Sequence, residues 1–104
     1  MAYSKAALAI MRFDAAHAED PERDAAGRPK ELVYAERMSA WLEKLAPQAS
    51  EPLRLAVRCQ HIRRWAILRS DYPAGSAGYR KWRSDEAASH ARLAAGILEQ
   101  SGYD

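Results

Sequence analysis

Five prolines divide this chain more sharply than any other feature. Pro21, Pro29, Pro47, Pro52 and Pro73 each lack a backbone donor and fix φ near −65°. Each therefore suits a first helical turn or a connection, and none suits a helix interior or a central strand. Between them, apolar residues recur at the 3.6-residue period, and no segment shows the alternation of a half-buried strand. The pattern predicts an all-α domain of four helices.

Ser4 is a good N-cap for a first helix reaching about Ala18, with Ala7, Ile10, Met11 and Asp14 or His17 on related faces. Residues 19 to 30 are polar, hold Pro21, Gly27 and Pro29, and read as a loop with nothing to pack. Pro29 opens a second helix whose stripe of Tyr34, Met38, Trp41 and Leu45, at i, i+4, i+7 and i+11, is expected to be core; Pro47 stops it. A third helix is expected from Ser50-Glu51-Pro52 to about Arg69, with Leu53, Val57, His61, Trp65 and Leu68 along one face. Turn residues 70 to 78 lead into a fourth helix from about Tyr79 to Ser101, with Gly102 as its cap and Trp82, Glu86, His90, Leu93 and Ile97 facing inward.

A chain of 104 residues is the usual size of one domain, and 48% hydrophobic with 29% charged residues is well away from the signature of disorder. Residues 1–104 are read as a single helical domain. Cys59 is the only cysteine, which excludes an intramolecular disulfide and a thiol-rich metal site and suits a reducing, cytoplasmic setting. The apolar run Ala6–Met11 behind Lys5 is interrupted by Arg12 and Asp14, too early for a secretory signal. No stretch approaches the roughly 20 apolar residues of a membrane span, so no membrane association is expected.

The net charge of +2 conceals a strong bias, because residues 52 to 83 carry eight Arg or Lys against the single acid Asp71. That stretch is +7, which leaves −5 for the rest of the chain. Twelve of the sixteen basic residues are Arg, the side chain whose planar fork grips phosphate or carboxylate in two places. Such a run is either a small-anion site or a solvated helix face. The anion candidates are Arg63, Arg64, Arg69 and Arg83, joined by Trp65. Trp65, Arg69 and Tyr72, and again Trp82 and Arg83, interleave aromatics with cations, a combination that stacks planar bases and holds phosphates, although Trp82 reads rather as a buried structural residue.

Histidines and carboxylates facing inward from different helices can assemble a metal site in a helical bundle. The candidates here are His61, His90, Glu36 and Glu86, and a divalent metal ion is the cofactor such a set would take. Glu86 and His90 are four residues apart and share one helical face. Either histidine could instead be satisfied by a neighbouring carboxylate or carbonyl. His61 titrates near working pH and is the candidate general base. Cys59, two positions away, points elsewhere and reads as core. Gly75-Ser76-Ala77-Gly78 lacks the following Lys-Ser/Thr of a phosphate loop and reads as a turn.

The pieces Ala18-Glu19-Asp20-Pro21, Pro29-Lys30-Glu31-Leu32, Arg37-Met38-Ser39, Gln60-His61-Ile62-Arg63-Arg64-Trp65, Tyr72-Pro73, Ala77-Gly78-Tyr79, Trp82-Arg83 and His90-Ala91 resemble an uncharacterised bacterial family, domain of unknown function 4202. The resemblance spans nearly the whole chain and implies the N-terminal part of a longer pattern. It departs from that pattern at His17, where Asn is usual, at Leu68, where Pro is usual, and at Ser89, where an aromatic is usual. More distantly, Leu55–Ile62 and His90–Leu98 have the cadence of the HD-domain metal phosphohydrolases, with Tyr34 or Glu36 near the place of that family's first histidine. Gln60-His61 stands where the His-Asp doublet would be, so the likeness implies an HD-like fold without the usual two-metal chemistry.

The expected function is binding of a small anionic or phosphorylated ligand, with phosphate-ester hydrolysis as the first reaction to test. The alternative is a non-catalytic module, or a homo-oligomer, that recognises protein or RNA through its basic aromatic face.

Overall fold

The computed structural model describes residues 3–104. Helix α1, Lys5–His17, begins where Ser4 accepts the Ala7 N–H at 3.1 Å, and it buries Ala9, Phe13, Ala16 and His17. The loop that follows is polar but not idle. The Asp20 carboxylate, 3% exposed, accepts the N–H groups of Glu22 and Glu31 at 2.9 Å each, and Asp24 accepts those of Ala26 and Arg28 at the same distance. An isolated antiparallel bridge joins Arg23 to Pro29. The expectation of a loop with nothing to pack is corrected: its carboxylates satisfy its own backbone donors and tie it to the next helix.

Helix α2 runs Lys30–Leu45 and buries Glu31 and Ala35. The core stripe expected on it is overturned, since Tyr34 is 37%, Trp41 56% and Leu45 78% exposed. The face that packs against α1 and the third helix is turned by one residue, about 100°, so that the small Ala35 lets the backbones approach.

Helix α3 is Glu51–Arg58, capped by Ser50 and started by Pro52, and it stops eleven residues short of the expected Arg69. No proline or glycine ends it; tertiary contacts do. His17 Nε2 hydrogen-bonds the Arg58 carbonyl at 2.9 Å, the acceptor that continued helix would offer to Ile62. The Ile62 N–H donates to Cys59 instead. The Arg58 guanidinium is held in two places by Asp14 at 2.8 Å each. The chain then passes through two left-handed residues, His61 (φ 59°) and Arg63 (φ 52°), and two short 3₁₀ turns, Arg64–Ala66 and Arg69–Asp71.

Helix α4, Ser76–Gln100, starts three residues earlier than expected. Gly78 is required there, because a Cβ would collide with the Pro73 carbonyl. At the far end Gly102 (φ 107°) closes a Schellman motif, with Tyr103 N–H donating to Leu98 and Gly102 N–H to Glu99. The core gathers Ala9, Phe13, Ala16, Leu55 and Ile62, with Leu93, Ile97, Leu98 and Tyr103 packed against it. Ile62, wholly buried, takes the place expected for His61. The fold is all-α as expected, with four α-helices, and no helix among the described residues is long and apolar enough to cross a membrane.

Candidate functional site

The early end of α3 creates the site. Had the helix continued, His61 would have lain above Val57; the left-handed turn carries it across to α2 and α4. Non-glycine residues held at positive φ cost on the order of 1–2 kcal/mol each and recur at functional sites. The His61 ring stacks on Tyr34 with centroids 5.1 Å apart and planes 19° from parallel, and it lies 6.4 Å from the His90 ring. Its Nδ1 is 4.0 Å from Glu31 Oε2, while Glu31 Oε1 is 3.4 Å from Arg64 Nε. On α4, His90 Nε2 approaches Glu86 Oε2 at 2.8 Å, close but out of line for a hydrogen bond.

Burial is the main cause of every titration shift in this group. It lowers the His61 and His90 pKa, with the Arg64 charge pushing the same way, so both imidazoles are neutral near pH 7. It raises the Glu31 and Glu86 pKa, against the pull of Arg64. Four buried polar atoms of this cluster have no hydrogen-bond partner among the described residues: Glu31 Oε2, His61 Nδ1, Glu86 Oε1 and His90 Nε2. Unpartnered buried groups cost about 1–3 kcal/mol apiece, and these four lie on neighbouring side chains of one cluster.

Two adjoining hollows open here. The smaller, about 270 Å³, is lined by His61, Arg64, Trp82, Arg83, Glu86 and His90. The larger, about 660 Å³, takes its walls from Tyr34, Trp65, Trp82, Arg64 and Arg69, with Glu31 among several charged residues at its edge. Arg64 and Trp82 line both. The Trp82 indole is anchored by its N–H, which donates to the Ile67 carbonyl at 3.0 Å.

Of the residues singled out in the sequence, His61, His90, Glu86, Arg64 and Arg83 share the smaller hollow, and Trp65 and Arg69 line the larger one. Arg83 makes no ion pair among the described residues. Arg69 also donates to the carbonyls of Tyr72, Pro73 and Gly75, and so holds the turn before α4. Arg63 is directed away and pairs with Glu19. Glu36 stands apart in a two-point bridge to Arg28, 2.9 Å at each contact. Glu31 joins the cluster in its stead. Its one signal in the sequence is its place in the family piece Pro29-Lys30-Glu31-Leu32, and an acid in a first helical turn already has an ordinary role against the helix dipole. Among the described residues no three or more His, Cys, Asp or Glu side chains converge as the ligands of one metal ion do.

The family model described as "Domain of unknown function (DUF4202)" matches residues 7–104. No curated protein matches the chain and no solved structure does, so the likeness to HD-domain folds gains no structural counterpart.

Proposed function

The chain belongs to that family of unknown function, and on that premise we propose that it binds a small anionic ligand, of which a phosphate ester is the leading candidate, in the hollow between His61 and α4. The observation that carries the reading is the pairing of two guanidinium groups, Arg64 and Arg83, with the unpartnered nitrogens of His61 and His90 around a space of about 270 Å³. Phosphoryl oxygens would accept from both guanidinium forks. His61 Nδ1, neutral near pH 7, would take a proton from an attacking water as its oxygen bonds to phosphorus, while the ester P–O bond breaks and the departing alkoxide is protonated by solvent. Glu86 and His90 supply two ligands on one helical face. A divalent ion, were one held there, would supply Lewis-acid polarisation of a phosphoryl oxygen.

Titration calorimetry with inorganic phosphate, beside turnover of an aryl phosphate with and without chelator, tests this. Arg83→Gln should weaken phosphate binding about tenfold, and His61→Ala should slow any hydrolysis by a factor on the order of 10²–10⁴. A parent protein that neither binds phosphate nor cleaves the ester overturns the reading. The competing function, a module that binds RNA through the basic aromatic face, would show as oligonucleotide affinity falling steeply with salt.

A further inference from the structure

We propose that the ligand is a nucleoside monophosphate, with its base against Trp65 in the larger hollow and its phosphate between Arg64 and Arg83 in the smaller one. This rests on the anion-binding reading above and extends it from one group to a whole molecule.

Arg64 and Trp82 line both hollows, which sets the two side by side. The smaller adds Arg83 and the imidazoles of His61 and His90; the larger adds the aromatic rings of Tyr34 and Trp65 among charged residues of both signs. The combined space falls in the ordinary range for small-molecule sites, roughly 300–1,000 Å³. An inorganic anion would fill only the smaller part and leave the aromatic walls with no role.

The three rings are held differently. Tyr34 is already stacked on His61, and Trp82 is tied by its N–H to Ile67. Trp65 has no such bond among the described residues and follows Arg64 in the 3₁₀ turn, and both line the larger hollow. A planar ring against the indole and a phosphate at the guanidinium can thus belong to one molecule. At the edge of the same hollow, Glu31 Oε2 is buried with no partner and accepts hydrogen bonds only, which suits the ring N–H or exocyclic amine of a base.

Charge in the larger hollow bears on the choice between a mononucleotide and a strand. Asp20, Glu22, Asp24 and Glu31 border it together with Lys30, Arg37, Arg64 and Arg69, four acids against four cations. A polyanionic backbone crossing it would meet no net positive charge, whereas a single nucleotide places only its uncharged base there.

The test compares inorganic phosphate, ribose 5-phosphate, a purine and a pyrimidine nucleoside monophosphate, and an eight-nucleotide single strand, by calorimetry and by quenching of tryptophan fluorescence. At least one nucleoside monophosphate is expected to bind tenfold or more tightly than ribose 5-phosphate, a ratio within what one base-on-indole stack supplies. Trp65→Ala should collapse that ratio toward one, and Trp65→Phe, which keeps a stacking ring, should restore most of it. Circular dichroism and a melting curve confirm that each variant is folded. Equal binding of ribose 5-phosphate and the nucleotides overturns this inference and leaves the anion site standing. Failure of every phosphate compound to bind overturns both. Tighter binding of the single strand than of any mononucleotide, with steep salt dependence, overturns it in favour of RNA. A folded Trp65→Ala protein that keeps the tenfold ratio overturns it too.

Discussion

His17 lies wholly out of water, its Nε2 at 2.9 Å from the Arg58 carbonyl and its Nδ1 without a partner. The neutral tautomer with a proton on Nε2 fits this setting, because it donates to the carbonyl and leaves only a lone pair on Nδ1. Burial holds the His17 pKa below its usual 6.5, against the upward pull of the hydrogen bond to the Arg58 carbonyl and of the Asp14 and Asp20 charges, while the Arg58 charge pushes it down. In the unfolded chain the ring protonates near 6.5, so below that pH the unfolded state binds the extra proton. The stability tied to neutral His17 is thus complete above 6.5 and is lost as pH falls beneath it. His61 and His90 are shifted the same way and add to the slope. His17→Asn should therefore lower stability at pH 7.5 by about 1–3 kcal/mol, through lost ring volume and a weaker bond to Arg58. It should also flatten, without abolishing, the fall in urea midpoint between pH 6.5 and 5. An unchanged slope would mean that His17 is not buried neutral. The sequence placed His17 near the inner face of α1, but its partner is a backbone carbonyl 41 residues away, and no residue type or spacing encodes that.

At the scale of elements, the ends that local chemistry sets were legible and the end that tertiary contact sets was not. Ser4, Ser50 and Gly102 cap their helices as their residue types dictate. The stop after Arg58 has no such marker, because His17 and Asp14 impose it from α1. Nor does periodicity say which of two neighbouring faces a helix buries, and on α2 it pointed to the wrong one. Two substitutions check these points. Arg63 holds φ 52° and spends its charge on an ion pair with the half-exposed Glu19, a contact of the kind that contributes about 0–1 kcal/mol. Arg63→Gly relieves a left-handed strain of about 1–2 kcal/mol, so the variant should equal or exceed the parent in denaturant midpoint. A loss above about 1 kcal/mol would mean that the turn is not left-handed. Trp41→Ala should change stability by less than about 0.5 kcal/mol, the range of exposed positions, where a core stripe would have cost about 3–5 kcal/mol.

For the whole molecule, α1 is the hub that packs against the other three helices, and the site lies beside that hub rather than within its core. The radius of gyration is 15.0 Å, against about 13 Å for a compact chain of this length, and the extents of 49 × 36 × 27 Å describe an elongated body. The apolar core is small, since among the described hydrophobic residues only Ala9, Phe13, Ala16, Ala35, Leu55 and Ile62 are buried. The site draws on three parts that the core joins only indirectly: the first turn of α2, the segment from Cys59 to Gly75, and the first half of α4. Between them lie the polar atoms of Glu31, His61, Glu86 and His90 that have no hydrogen-bond partner among the described residues. A ligand that satisfies them binds only the folded chain, so it stabilises by mass action, by about 2.7 kcal/mol at a hundredfold excess over its Kd. At roughly 4–8 °C per kcal/mol for a domain of this size, the melting temperature should rise on the order of 10 °C with saturating phosphate or phosphate ester. Arg83→Gln, exposed and outside the core, should melt close to the parent without ligand and show about half of that rise removed at the same ligand concentration. A rise that is the same in Arg83→Gln and in the parent would place the binding elsewhere on the molecule.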